Sequence, residues 1–230
     1  WSGLWGNVPS YFLADVPATA RRVAYAVSVG RSEAIGRSDQ VPEWLRAFDA
    51  IHPRDARTAD LCRQTGVEPG AVVCDPVALV DPDRLRARGR EVARVRRPYT
   101  ALYFERCDRD ARIDAILAAT ESPRALLSVG FPYPDATPAI DADLDEFVGT
   151  IAGAELVITS MFHGVVTGLT LGKPVAVLEH PAKSQKVRDF LDRVQAKELL
   201  AGDGFTVVAP TGDLEQFREA SRAALRSAMG

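Results

Sequence analysis

Short apolar runs alternating with longer segments of helical period constrain this chain more than any other feature. RVAYAVSV (22–29), AVVC (71–74), TALYF (100–104), ALLSV (125–129), ELVIT (155–159), PVAVL (174–178) and FTVVA (205–209) read as buried strands. Between them lie VPEWLRAF, RDARTADLCRQTG, DARIDAILAAT, DADLDEFVGTIAG, the stretch after His163, KSQKVRDFLDRV and DLEQFREASRAALRSAM, all helix-like. Strands separated by helix-length segments form parallel sheets with helices on their faces. An α/β fold follows. Asp141 or Asp143 is placed to cap one helix, and Gly66 lies just beyond the end of another.

A chain of 230 residues fits two domains of roughly 100 residues each. The expected boundary lies in DPDRLRARGREVARVRRPYT, giving domains 1–95 and 96–230. Seven arginines fall between Arg84 and Arg97, with Pro98 following. They read as a solvated helix and linker, with an anion-attracting flank for a phosphorylated substrate as the sharper alternative. A net charge of -3 argues against a general nucleic-acid binder. Cys62, Cys74 and Cys107 are odd in number and far apart, so neither a disulfide framework nor a metal site is indicated, and a reducing, cytoplasmic setting is the simpler reading. No run of about 18 apolar residues exists, which excludes a simple membrane-spanning helix. The opening WSGLWGNVPSYFL has neither methionine nor signal pattern, and it reads as the downstream part of a longer protein.

Within VITSMFHGVVTGLTLGKPVAVL (157–178) an apolar run is interrupted at Ser160–Met161–Phe162–His163–Gly164. The segment is a βαβ unit whose crossover helix begins near Met161. His163, one of three histidines, therefore falls beyond a strand's carboxyl end, where ligands of open α/β sheets sit. It also lies in the first turn of a helix, whose free N–H groups and dipole favour an anion. Gly164 permits close approach of a ligand or backbone, Gly168 thins the helix against the sheet, and Gly172–Lys173–Pro174 ends it. EHPAKSQKVRDFL then places Lys183, Lys186 and Arg188 after the next strand end, on the same rim. A strand-end histidine followed by lysines describes an anionic-ligand site, although a lone histidine is more often structural.

ITSMFHGVVTGLTLGKPVAVLEHPAKSQKVRDFL resembles the signature segment of the polysaccharide pyruvyl transferase family. That signature is a strand, an HG at the helix start, a GKP turn and a basic segment before a helix. YFLADVPATARRVAYAVSVG resembles the family's segment ending in a YAxSxG strand. FDAIHPRDARTADLCRQTGV resembles its strand-end RE/RD element, centred on Arg54–Asp55, and CDPVALV its DPxxL turn at Asp75–Pro76. The resemblance implies two Rossmann-like domains with parallel sheets, facing each other in a GT-B-like arrangement. It also implies transfer of pyruvate from phosphoenolpyruvate to two hydroxyls of a sugar as a cyclic ketal. Two departures stand out. Family members begin with a glycine-rich strand–loop segment, so Trp1 would follow strands that are missing from an incomplete N-terminal domain. Many also carry arginine where this chain has Met161.

From the resemblance and the chemistry, His163 is expected to be the general acid/base, because imidazole titrates near neutral pH. Arg54 and Lys183 would hold phosphoenolpyruvate, whose phosphate and carboxylate suit fixed cations. Arg106, Lys186 and Gly164 are further substrate-binding candidates. Asp135 would meet sugar hydroxyls and Tyr133 stack on the ring, while His52 and His180 stay structural. Neither a metal nor a cofactor is expected, since phosphoenolpyruvate is a donor substrate. The acceptor is a sugar or glycan. A lipid-linked one would call for a membrane-surface patch at the inner face, which Trp1, Leu4, Trp5, Tyr11 and Phe12 would supply unless they build core. Two rival readings are a glycosyltransferase using a nucleotide-sugar and a binding protein that kept the fold and lost the reaction.

Overall fold

The computed structural model describes residues 9–30, 40–91, 95–104, 109–123, 126–129, 133–139, 142–180 and 184–230. By contact the chain forms two compact units. One holds the chain up to Leu79 together with Glu215–Gly230, and the other is Val80–Leu214. This division gives residues 80–95 to the second unit and most of the last helix to the first, unlike the boundary drawn from the sequence.

In the first unit, strands β1 (Val23–Val27) and β2 (Ala50–Pro53) pair in parallel, Tyr25 opposite His52. Helices α1 (Val41–Arg46), α2 (Ala56–Gln64) and the single turn α3 (Pro76–Leu79) accompany them. Phe12, Val29, Val41, Leu45, Ile51 and Cys62 form the core. Phe12 is 2% exposed and packs on Trp44 at 5.2 Å between ring centroids, so it is core rather than membrane patch. Tyr11 is exposed, while Trp1, Leu4 and Trp5 lie outside the described residues. The predicted strand AVVC runs beside β2 without joining a ladder: Val73 donates to Pro53 O at 2.8 Å, and Gly70 to Ile51 O at 2.8 Å. His52 is buried with Nδ1 3.3 Å from Ala71 O, a structural position.

The second unit is built on a seven-stranded sheet of β3 (Thr100–Tyr103), β4 (Leu126–Val129), β5 (Thr137–Ala139), β6 (Leu156–Thr159), β7 (Val175–Leu178), β8 (Lys197–Gly202) and β9 (Phe205–Ala209). Its order is β5-β4-β3-β6-β7-β9-β8. The five strands from β5 to β7 are parallel, and β9 and β8 add an antiparallel hairpin at one edge. FTVVA is therefore a strand as expected but opposite in direction, because only the two residues Asp203 and Gly204 separate β8 from it. Every residue of β4, β6 and β7 is buried, as befits strands covered on both faces. Helices α4 (Pro82–Arg88), α5 (Ala111–Thr120), α6 (Leu144–Gly153), α7 (Phe162–Thr170) and α8 (Ser184–Arg193) follow the predicted segments. The chain closes with α9 (Asp213–Met229).

Starting from β3, the chain winds outward through β4 to β5. It then returns past β3 and winds the other way through β6 and β7. The order reverses between β3 and β6, and a crevice opens at such a point beyond the carboxyl ends of the two strands.

Candidate active site

That reversal point is where α7 begins. β6 ends at Thr159, whose buried hydroxyl donates to Tyr103 O at the end of β3 (2.6 Å) and accepts from Met161 N–H (2.9 Å). One side chain thus fastens the two diverging strands and the entry into α7. Met161 is the extended N-cap residue, Phe162 turns inward, and His163 is exposed on the first turn. Every other residue of α7 is buried, including Thr167 and Thr170 on the same helical face as position 163, so His163 owes its exposure to its place on the first turn beyond the strand end rather than to an outward face of the helix. Gly164 is buried. A Cβ there would sit 2.5 Å from Thr159 Oγ1 and 2.9 Å from Tyr103 Cδ1, so the close approach it permits is that of helix backbone to strand side chains. Gly168 does the same against Val175, where a Cβ would meet Cγ2 at 2.6 Å.

The rim beyond β7 supplies cations. Phe162 packs edge-on against Phe190 of α8 at 5.9 Å, which brings α8 beside the start of α7. Lys186 Nζ lies 5.4 Å from the centroid of the Phe162 ring, and the His163 ring centroid lies 5.8 Å from that same ring. The structure therefore places both Lys186 and His163 near one phenyl ring. Arg188 is ion-paired with Glu179, at the mouth of a cavity of about 50 Å³ lined also by Ser160, Ser184 and Leu191. That volume takes a water molecule, not a sugar ring. His180 is held structurally, since Ser184 Oγ accepts from its backbone N–H at 2.9 Å and donates to its carbonyl at 2.6 Å. Lys183 and Arg106 lie outside the described residues.

In the first unit, Arg54 follows β2 directly and is 17% exposed along its side chain. Its guanidinium donates to Asp75 Oδ2 at 2.5 Å. Asp55 turns the other way, capping α2 by accepting from the Thr58 N–H at 2.8 Å and its hydroxyl at 2.6 Å. Thr58 Oγ1 in turn accepts from Val29 N–H at 3.1 Å. Two sequence elements singled out separately, Arg54–Asp55 and Asp75–Pro76, thus form one cluster at the carboxyl end of β2. Asp75 holds the guanidinium in a fixed direction.

Compared with models of known families, residues 1–181 match polysaccharide pyruvyl transferase. The chain belongs to that family. No match was found among curated proteins. The match takes in both the Arg54–Asp75 cluster and the HG start of α7. It stops before α8, so Lys186 stands outside the matched residues. The family's description is of a transferase acting on polysaccharide, and among the described residues no helix is long and apolar enough to cross a membrane.

Two other expectations fare differently. Tyr133 is 3% exposed and sits in the core beside Phe104, Ile113 and Leu126, its hydroxyl accepting from Asp110 N–H at 3.3 Å. A ring so covered does not stack on a sugar, and that expectation is corrected. Asp135 is exposed in the turn that follows. Sequence reasoning passed over Thr159, whose role at the strand junction depends on which strand lies next to β6. It also passed over Arg112, which donates to Glu179 O (3.0 Å) and Gly204 O (3.2 Å) and ties α5 to the loops beyond β7 and β8. Arg112 hydrogen-bonds Asp110 as well, holding that carboxyl below the usual range. The only sequence hint was Asp110 at a capping position two residues before it.

Proposed function

We propose that this chain transfers pyruvate from phosphoenolpyruvate onto a sugar of a polysaccharide or its precursor as a ketal, releasing phosphate. The observation that carries the reading is an exposed imidazole on the first turn of α7, at the sheet's reversal point, in a chain that belongs to the pyruvyl transferase family. In this scheme His163 delivers a proton to the methylene carbon of phosphoenolpyruvate. The enol carbon becomes oxocarbenium-like, and a sugar hydroxyl bonds to it while losing its proton to the imidazole. Phosphate leaves with the former enol oxygen, and a second hydroxyl closes the ketal. Free N–H groups at the start of α7 favour the departing phosphate. Arg54, directed by Asp75, and Lys183 hold the donor's anionic groups, with Lys186, near the Phe162 ring, as a further contact. Arg106 is a further anion contact in the same scheme. The acceptor is a glycan or lipid-linked sugar handled at the inner membrane face.

Phosphate release from phosphoenolpyruvate, measured with a panel of sugar acceptors, tests the proposal. The parent is expected to release phosphate only when an acceptor is present, and His163→Ala to release none while still binding the donor. Stabilisation by UDP- or GDP-sugars but not by phosphoenolpyruvate would favour the glycosyltransferase alternative.

A further inference from the structure

The arginine run leaves a residue of positive charge that the reaction scheme does not use. Two of its members fasten α4 to α6: Arg88 Nε bonds Asp145 at 2.6 Å, and Arg90 pairs with Asp143. Another, Arg97, stands with Lys173 at the opposite edge of the sheet from His163. Arg97, just before β3, and Lys173, just before β7, line an open groove of about 650 Å³ together with Pro98, Gly153, Glu155 and Pro174. Arg86 reaches the same turn, donating to Leu171 O at 3.0 Å. Arg97 and Arg86 also meet exposed acids, Glu91 at 3.3 Å and Asp83 at 2.7 Å, contacts that water and salt weaken. Glu155 is the one acid lining the groove.

The field at Lys173 is nevertheless positive. Its ammonium is pushed below the usual lysine range by burial and then by the Arg86 and Arg97 guanidiniums, against a smaller opposing effect of Glu155. Two cations lining one groove, with a third guanidinium at the adjoining turn, form an arrangement that an anion relieves. The groove is wide and has no buried polar side chain in its lining, so it is not shaped for a small metabolite. It offers no aromatic platform for bases and no large apolar side chain for insertion into a lipid surface. An extended, carboxylate-bearing chain fits this chemistry.

We infer that the groove lined by Arg97, Lys173 and Glu155 binds acidic polysaccharide at a distance from the site of reaction. The inference rests on the proposed function in one respect: each pyruvyl ketal adds a carboxylate, so a modified chain is itself a polyanion. β6 spans about 13 Å between the two edges, so a groove at the edge away from His163 would hold sugar units remote from those at the imidazole. Such a groove would keep a partly modified polymer bound between turnovers.

Binding of an oligogalacturonide to the full chain, in the absence of phosphoenolpyruvate, tests this. A neutral maltooligosaccharide of equal length, inorganic pyrophosphate and phosphatidylserine vesicles serve as comparisons. The oligogalacturonide is expected to bind and the neutral oligosaccharide not, with affinity falling as salt rises. The double variant Arg97→Gln/Lys173→Gln should bind about tenfold more weakly, the scale of two charge contacts open to solvent on one side. Glu155→Gln should bind more tightly, a gain that misfolding would not produce, and His163→Ala should bind as the parent does. Equal affinity of the parent and the double variant would overturn the inference. So would binding of pyrophosphate or vesicles, lost in the double variant, where the oligogalacturonide does not bind. Oligogalacturonide binding without any phosphate release would tell against pyruvyl transfer and leave the groove standing. Phosphate release without such binding would do the reverse.

Discussion

Gly164 shows how closely the position of the His163 imidazole is tied to packing behind it. A methyl group there would meet the Thr159 hydroxyl that joins β6 to β3, together with the Tyr103 ring. None of these groups can retreat cheaply, since Thr159 is buried and Tyr103 is packed on Phe147 at 5.0 Å. Gly164→Ala is therefore expected to lower stability by about 1–3 kcal/mol, the usual range for forcing atoms into a filled core. Denaturant melting measures that loss, and phosphate release from folded protein should fall with it as the first turn of α7 shifts. A variant as stable and active as the parent would show that the junction yields easily. Arg54 offers the same lesson with charge: its direction is set by Asp75, twenty-one positions away.

Elements of strong period were legible in the sequence, and weak ones were not. α2, α5, α6, α8 and α9 carry apolar residues on one face, and β3, β4, β6 and β7 are apolar runs, so each announced itself. β8 is almost wholly exposed, so no apolar alternation marked KELLAG as a strand. β2 consists of four residues, two of them His52 and Pro53, and β5 lies within a proline-rich loop. The imidazole at the head of α7 was readable because strand, histidine and helix are adjacent in the chain. Its fastening to β3 was not, since Tyr103 and Thr159 are fifty-six positions apart. Capping was legible as well. Asp143 accepts from Glu146 N–H at 2.8 Å in a full capping box and is ion-paired with Arg90. Beneath that pair, Gly149 lets the Arg90 backbone lie against α6, where a Cβ would stand 2.1 Å from the Arg90 carbonyl oxygen. Asp143→Ala is expected to destabilise the protein by about 0.5–2 kcal/mol through loss of the cap. Thermal melting checks this, and retention of the parent midpoint would place the stability of α6 in its apolar face alone.

On the scale of the whole molecule, two compact units each carry one part of the proposed chemistry. A directed guanidinium stands at the end of β2 in one, and an imidazole stands at the reversal point of the larger sheet in the other. The family match spans both. Pyruvyl transfer from an enol phosphate requires a proton to be placed on carbon, a step that neither glycosyl transfer nor simple binding includes. Turnover in deuterium oxide tests that step most directly. The account predicts that the methyl group of the transferred pyruvyl carries one deuteron, and that His163→Ala yields neither deuterated ketal nor phosphate. Undiminished turnover in His163→Ala, with the same deuterium content in its product, would contradict it.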